Sequence, residues 1–228
     1  MSHDRRSRAN LRRIRPAMAY PAAQRRPREP RMDPLPVATD PLFTHIRIVL
    51  GIVLGLGLTT LLKGLAKFVQ HPGRDRVYGV HLAWAFAMLI LLVHFWWWEF
   101  GLVRVHPWTF TSYAFLILYV IVLFVLCTLL FPDDLAEYAG WRDYFQSRRP
   151  WFFGIMAALY LIDFVDTLIK GRPYFHHFGI EYPIRNVLLI ALSLVAMRVR
   201  AEGFHRAFVA FAIVYELSWI YRLYDYMQ

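Results

Sequence analysis

Acidic residues and cysteine are scarce in this chain. Sixteen Asp and Glu stand against 26 Lys and Arg, and the one cysteine, Cys127, falls inside an apolar stretch. A lone cysteine excludes an intramolecular disulfide and a CxxC metal or redox pair, which leaves packing as its role. The motifs of common hydrolytic and nucleotide chemistry are also missing: there is no G-x-S-x-G, no HExxH and no phosphate-cradling glycine loop. Asp163 and Asp166 lie three residues apart on one predicted helix, whereas an intramembrane aspartyl protease needs its two aspartates on facing helices. Alone they could hold a divalent ion and a lipid phosphate, but the surrounding motif of lipid phosphotransferases is absent.

What the chain does have is apolar length. Of its 228 residues 58% are hydrophobic and 17% aromatic, above the roughly 45 to 50% apolar share of soluble domains. Crossing a bilayer takes about 20 mostly apolar residues in a helix, because the hydrocarbon core is about 30 Å thick. Six stretches meet this need: 46–66, 80–100, 110–131, 151–169, 184–197 and 204–227. The predicted fold is an all-α bundle of six transmembrane helices. The first stretch is full length and has no small-residue cleavage site, so it is expected to be retained and not removed as a signal peptide. Trp96, Trp97 and Trp98, then Trp108 and Trp151, mark span ends as interfacial anchors. Between the third and fourth spans, Leu135, Tyr138, Trp141 and Phe145 recur at helical spacing. That pattern predicts a short interfacial helix near 134–147, started by Asp133 or Asp134.

Residues 1–40 are a different material, with ten Arg, four acidic residues and almost no apolar periodicity. Such a segment cannot bury a core and is expected to be disordered. Its net charge of +6 supplies most of the chain's +10, which suits contact with anionic lipids. Neither a fold nor stacking aromatics supports a nucleic-acid partner. Met18 and Met32 are alternative starts. With the tail, the positive-inside rule places both termini in the cytoplasm; without it, the loop charges, ten against six, point the other way.

Two smaller patterns bear on packing. Gly51 and Gly55 form a GxxxG that lets a neighbouring element approach within the chain. Thr60-Leu61-Leu62-Lys63-Gly64 matches Thr167-Leu168-Ile169-Lys170-Gly171 at an offset of 107 residues. Three spans lie between the copies, which makes a 3+3 inverted repeat a candidate.

Depth along alternating helices gives the most informative constellation. His94, Glu99, Asp163, Asp166, Glu216 and Arg222 all fall in the leaflet nearer the N-terminus, with Glu216 roughly 15 Å deep, Asp163 roughly 10 Å and His94 roughly 9 Å. Lys170 lies one turn beyond Asp166 on the same face. A charge at the bilayer centre costs at least about 2.5 to 3.5 kcal/mol, so these groups are expected to face the bundle interior, paired or hydrated. Lys170 and Arg222 are the expected counter-charges.

Histidine suggests two further readings. His81 and His94 lie 13 residues apart on one span, close to the spacing of diheme helices, but no second helix presents an opposing pair at that spacing. His176, His177 and Glu181 could ligate a metal, yet they sit in a short aromatic loop without a further ligand at metal spacing. No cofactor or metal is therefore expected.

The segments HFWWWEF (His94–Phe100), FPDD-x5-GWRDYF-x-SRR-x-WFFG (131–154) and Asp163-x-x-Asp166-Thr167-Leu168-x-Lys170-Gly171 resemble a family of small bacterial integral membrane proteins with no assigned activity. The resemblance implies a multi-pass protein of the cytoplasmic, or inner, membrane and carries no catalytic residue. The expected function is a small proton or cation channel or transporter. The competing readings are a non-transporting scaffold or accessory subunit, and a heme-binding or lipid-modifying membrane enzyme.

Overall fold

The computed structural model describes residues 41–71, 76–104 and 107–225. The expected disordered tail, 1–40, lies outside them. Among the described residues the chain is all helical, with no strand: α1 (Pro41–Gln70), α2 (Gly79–Trp98), a 3₁₀ segment (Glu99–Arg104), α3 (Phe110–Thr128), α4 (Trp141–Ile169), the short α5 (Arg172–His177), α6 (Glu181–Arg198) and α7 (Glu202–Asp225). The first four α-helices are long and apolar enough to cross a membrane. The chain is accordingly an integral membrane protein.

Apolar side chains point both ways on these helices. On α1, Phe43, Ile46, Leu50, Leu54 and Leu61 recur every three, four or seven residues and are buried, while Ile48, Ile52 and Leu56 on the opposite face are exposed. Outward-facing Val93, Leu118 and Leu161 continue this surface on α2, α3 and α4. So much exposed apolar area is unsuited to water and suited to lipid.

Helices pair unequally. The main packings are α4 on α6, α1 on α3 and α2 on α7, while α2 with α4 and α6 with α7 touch sparsely. This is not the pairing of a 3+3 inverted repeat, in which α4 would pack on α7 as α1 does on α3. The matched residues also differ in setting, since Lys63 is exposed and Lys170 buried.

The glycines of α1 admit side chains and not a second backbone. A Cβ at Gly51 would lie 2.7 Å from the Trp96 ring, and one at Gly64 would lie 2.2 Å from Phe131 Cγ, whereas Gly55 has open space. Cys127 is buried beside Gly57.

Most helix ends follow local chemistry. Thr109 caps α3, its hydroxyl accepting from Ser112 N–H at 3.1 Å. Gly140 and Gly171 precede α4 and α5 at φ 127° and 111°, conformations that a side chain would strain. The separate interfacial helix expected near 134–147 is not present as such. Asp134 Oδ1 accepts from Ala136 N–H at 2.8 Å, which closes a turn and does not start a helix. Trp141 then opens α4, which continues through Pro150. Proline removes one backbone donor there without ending the helix.

Candidate functional site: a buried carboxylate cluster

One face of α4 carries the site. Tyr160, Asp163, Asp166, Thr167 and Lys170 recur at three- and four-residue steps, share that face and are all buried. Opposite them α6 presents Tyr182, Arg185, Asn186 and Ser193, also buried. The tightest helix pair in the fold therefore meets through two polar stripes, joined at their ends by apolar packing.

The Asp163 carboxylate is held by three hydrogen-bond donors and one cation. Tyr119 O–H donates to Oδ1 at 3.1 Å; Tyr182 O–H and Asn186 Nδ2 each donate to Oδ2 at 2.7 Å. Arg185 stands 3.6 Å from the same oxygen. Thr167 Oγ1, 2.7 Å from the Tyr182 hydroxyl, donates to it and so fixes its direction. Arg185 is steadied in turn by Asn186 Oδ1 at 3.1 Å and by the faces of Trp219 and Tyr182.

A second group lies one turn further along α4. Lys170 Nζ donates to Asp166 Oδ2 at 2.7 Å and to Glu99 Oε1 at 3.0 Å, with side-chain exposures of 0%, 0% and 7%. Trp98 does not anchor at an interface as expected; it is buried, with Lys170 5.5 Å from its ring centre. Asp166 Oδ1 and Glu99 Oε2 keep one unpartnered oxygen each.

The third element joins α2 to α7. His94 Nδ1 and Glu216 Oε1 share a hydrogen bond of 2.5 Å, and His94 Nε2 is buried without a partner. Arg185 faces Glu216 from α6, and Tyr160 faces it from α4. The predicted cluster thus forms as two adjoining groups, one around Lys170 and one around Arg185.

Arg222 belongs to neither group, contrary to expectation. It pairs with Glu181 in bidentate fashion at 2.5 and 2.7 Å, and Tyr215 O–H donates to the same carboxylate at 2.7 Å. Both charged side chains are more than two-fifths exposed. The guanidinium and the hydroxyl hold the Glu181 carboxyl down at about 2.

Other histidines are occupied by packing. His81 Nε2–H donates to the Leu130 carbonyl at 2.6 Å, and its ring stacks on Trp141. His176 and His177 are exposed on α5. Among the described residues no three His, Cys, Asp or Glu side chains are grouped to hold a metal.

Charge arithmetic defines what the cluster can do. With His94 neutral, three buried carboxylates (Glu99, Asp163 and Asp166) and the part-buried Glu216 face two permanent cations, Lys170 and Arg185. Two negative charges are left for protons or a bound cation to neutralise, because an unpaired charge in such a setting costs several kcal/mol. Depth counting from the sequence identifies the carboxylates, His94 and Lys170, but it misses Arg185, Asn186, Tyr182 and Tyr119. The available signal was Arg185-Asn186, adjacent polar residues one turn inside an otherwise apolar span.

No family model, curated protein or solved structure matches this chain.

Proposed function

We propose that the chain is a six-span protein of the bacterial inner membrane that moves protons or small cations by way of Glu216, His94, Asp163 and Asp166. The observation that carries this reading is that four carboxylates, Glu99, Asp163, Asp166 and Glu216, gather between the helices around two permanent cations, an excess of two acidic groups. A cluster kept only for cohesion gains nothing from that imbalance, whereas one that takes up and releases protons depends on it. His94 and Glu216 are the exchanging pair, since a hydrogen bond joins them and His94 Nε2, buried without a partner, is placed to pass a proton on. Arg185 and Lys170 hold the neighbouring carboxylates in place.

The fifth and sixth spans are α6 and α7. The 18 residues of α6 rise about 27 Å, and its outward Val187, Leu188 and Leu194, with Val214 and Leu217 of α7, are exposed apolar side chains like those of the first four helices. Arg185 and Glu216, which make these helices less apolar, are site residues facing inward. The ten Arg before α1 support cytoplasmic termini, and the segments around His94, 131–154 and Asp163 support membership of the small bacterial membrane family named above. A 3+3 repeat is not part of this proposal. Reconstituted protein should carry protons or a monovalent cation under an imposed gradient, and absence of any flux removes the reading.

A scaffold or accessory-subunit role is the second reading, and Asp163 favours it. That carboxylate accepts three hydrogen bonds from α3 and α6 and faces Arg185 of α6, the pattern of a group that fixes helix register.

A further inference from the structure

Where α1 and α3 end and α4 begins, a hollow of about 550 Å³ opens at one end of the bundle, within the roughly 300 to 1,000 Å³ of small-molecule sites. Two elements bring opposite charges to it. Lys67 and His71 come from the end of α1, where His71 N–H donates to the Lys67 carbonyl at 3.0 Å and keeps the helical register that sets both side chains on one face. Asp133 and Asp134 come from the connection between α3 and α4. Among the described residues the side chains of Lys67, His71 and Asp133 make no hydrogen bond or ion pair, and Asp134 Oδ1 accepts from Ala136 N–H. Opposite charges thus line one hollow without closing on each other.

We propose that this hollow binds a phosphoethanolamine group, the headgroup of a bilayer phospholipid, with its phosphate on Lys67 and His71 and its ammonium on Asp133 and Asp134. A ligand that satisfies both sets of charges needs an anionic and a cationic end. Lys67 and His71 together offer N–H donors to the several oxygens of a phosphate. The cationic end is a primary ammonium and not a quaternary one, because the aromatic rings that also line the hollow are already engaged. Trp141 stacks on His81 with ring centres 4.8 Å apart, Phe68 lies 5.1 Å from Trp141, and the Arg148 guanidinium stands 5.7 Å from the centre of the Tyr138 ring. No open aromatic cage is left for a choline-type cation, whereas carboxylates take an ammonium through its N–H groups.

The outer face of α1 points to a lipid as the source. Leu56 lies eleven residues before Lys67, three turns back on the same side of the helix and about 17 Å deeper into the span. Leu56 and Ile52, one turn deeper again, are exposed, so a headgroup held at Lys67 has an apolar lane for its acyl chains directly below it. The hollow lies at the opposite end of α1 from Arg47 and does not involve the carboxylate cluster. Binding there stands independently of the proton-handling reading.

The test is native mass spectrometry of the full chain in detergent micelles, titrated with palmitoyl-oleoyl phosphatidylethanolamine, phosphatidylcholine or phosphatidylglycerol. One phosphatidylethanolamine per chain is expected to be retained, at least fivefold more tightly than either of the others. Lys67→Gln and Asp133→Asn should each weaken it at least fivefold with an unchanged melting temperature, since both side chains are exposed. Lys63→Gln, an exposed lysine one turn earlier that does not line the hollow, should leave it unchanged. Soluble O-phosphoethanolamine in the same titration separates the two sources of the group: failure to displace the lipid upholds the lipid headgroup, and displacement at comparable affinity upholds the chemistry but overturns the lipid as its source. Equal retention of the three lipids by wild type, or wild-type affinity in both hollow variants, overturns the proposal.

Discussion

His94 on α2 and Glu216 on α7 meet through a 2.5 Å hydrogen bond across 122 residues of sequence. The bond ties together the helix pair α2–α7, and Arg185 links that pair to α4–α6. Proton exchange and helix cohesion thus reside in the same atoms, which double-mutant analysis separates.

His94→Gln and Glu216→Gln should each lower thermal stability in detergent, and the double variant should lose less than the sum. The expected coupling is about 1.5 to 3 kcal/mol, the range for a hydrogen bond to a charged group. Strict additivity would mean that the pair makes no mutual contribution.

Among the described residues, Lys170 is the only cation contacting both Glu99 and Asp166. Lys170→Met leaves two buried carboxylates facing each other and should cost about 3 to 5 kcal/mol, the penalty for breaking a buried pair from one side. Adding Glu99→Gln and Asp166→Asn to that variant should recover much of the loss. A Lys170→Met protein as stable as wild type would refute the pairing.

The glycines of α1 make opposite predictions. Gly64→Ala drives a methyl into Phe131 and should destabilise by about 1 to 3 kcal/mol. Gly55→Ala meets open space and should be neutral or stabilising by up to about 1 kcal/mol. Melting temperatures of the two variants, measured side by side, decide the matter; similar shifts would contradict the packing of α1 on Phe131, just beyond α3.

Acid sensitivity should include a small contribution from the Glu181–Arg222 clamp between α6 and α7. The Glu181 carboxyl is held at about 2, below its ordinary 4.5. A depressed carboxyl stabilises fully above the ordinary value, and the contribution is lost as pH falls from there toward 2. Glu181→Gln should therefore flatten the stability profile across that window and leave the profile near neutrality unchanged in slope. Because both side chains are largely exposed, added salt should shrink the effect. An unaltered acid limb in Glu181→Gln would contradict the clamp.

Four of the spans were legible because lipid sets both a length and a composition, and α1 to α4 each cover most of one of the first four apolar stretches. The start of α4 was not legible. Asp134 and Pro150 are the ordinary signs of a helix start and a helix break, but the first closes a turn and the second is absorbed into α4. Depth counting brought His94, Glu99, Asp163, Asp166, Lys170 and Glu216 to one layer because rise per residue is fixed. It carries no azimuth, so Arg222 was assigned to a cluster that its helix face turns away from. Arg185, at the edge of the stretch 184–197, reads as a span-end charge, although it lies one turn inside α6. Tyr182, just before the fifth stretch, resembles an interfacial aromatic and Tyr119, midway along the third, a packing residue; only the fold shows their hydroxyls on Asp163.

The most direct measurement is proton flux into liposomes carrying wild type, Glu216→Gln or Asp163→Asn, with folding of each checked by gel filtration. The account predicts flux in wild type that is abolished in well-folded Glu216→Gln. Wild type that carries neither protons nor a monovalent cation, with Asp163→Asn aggregating, would contradict it and make the cluster a structural network.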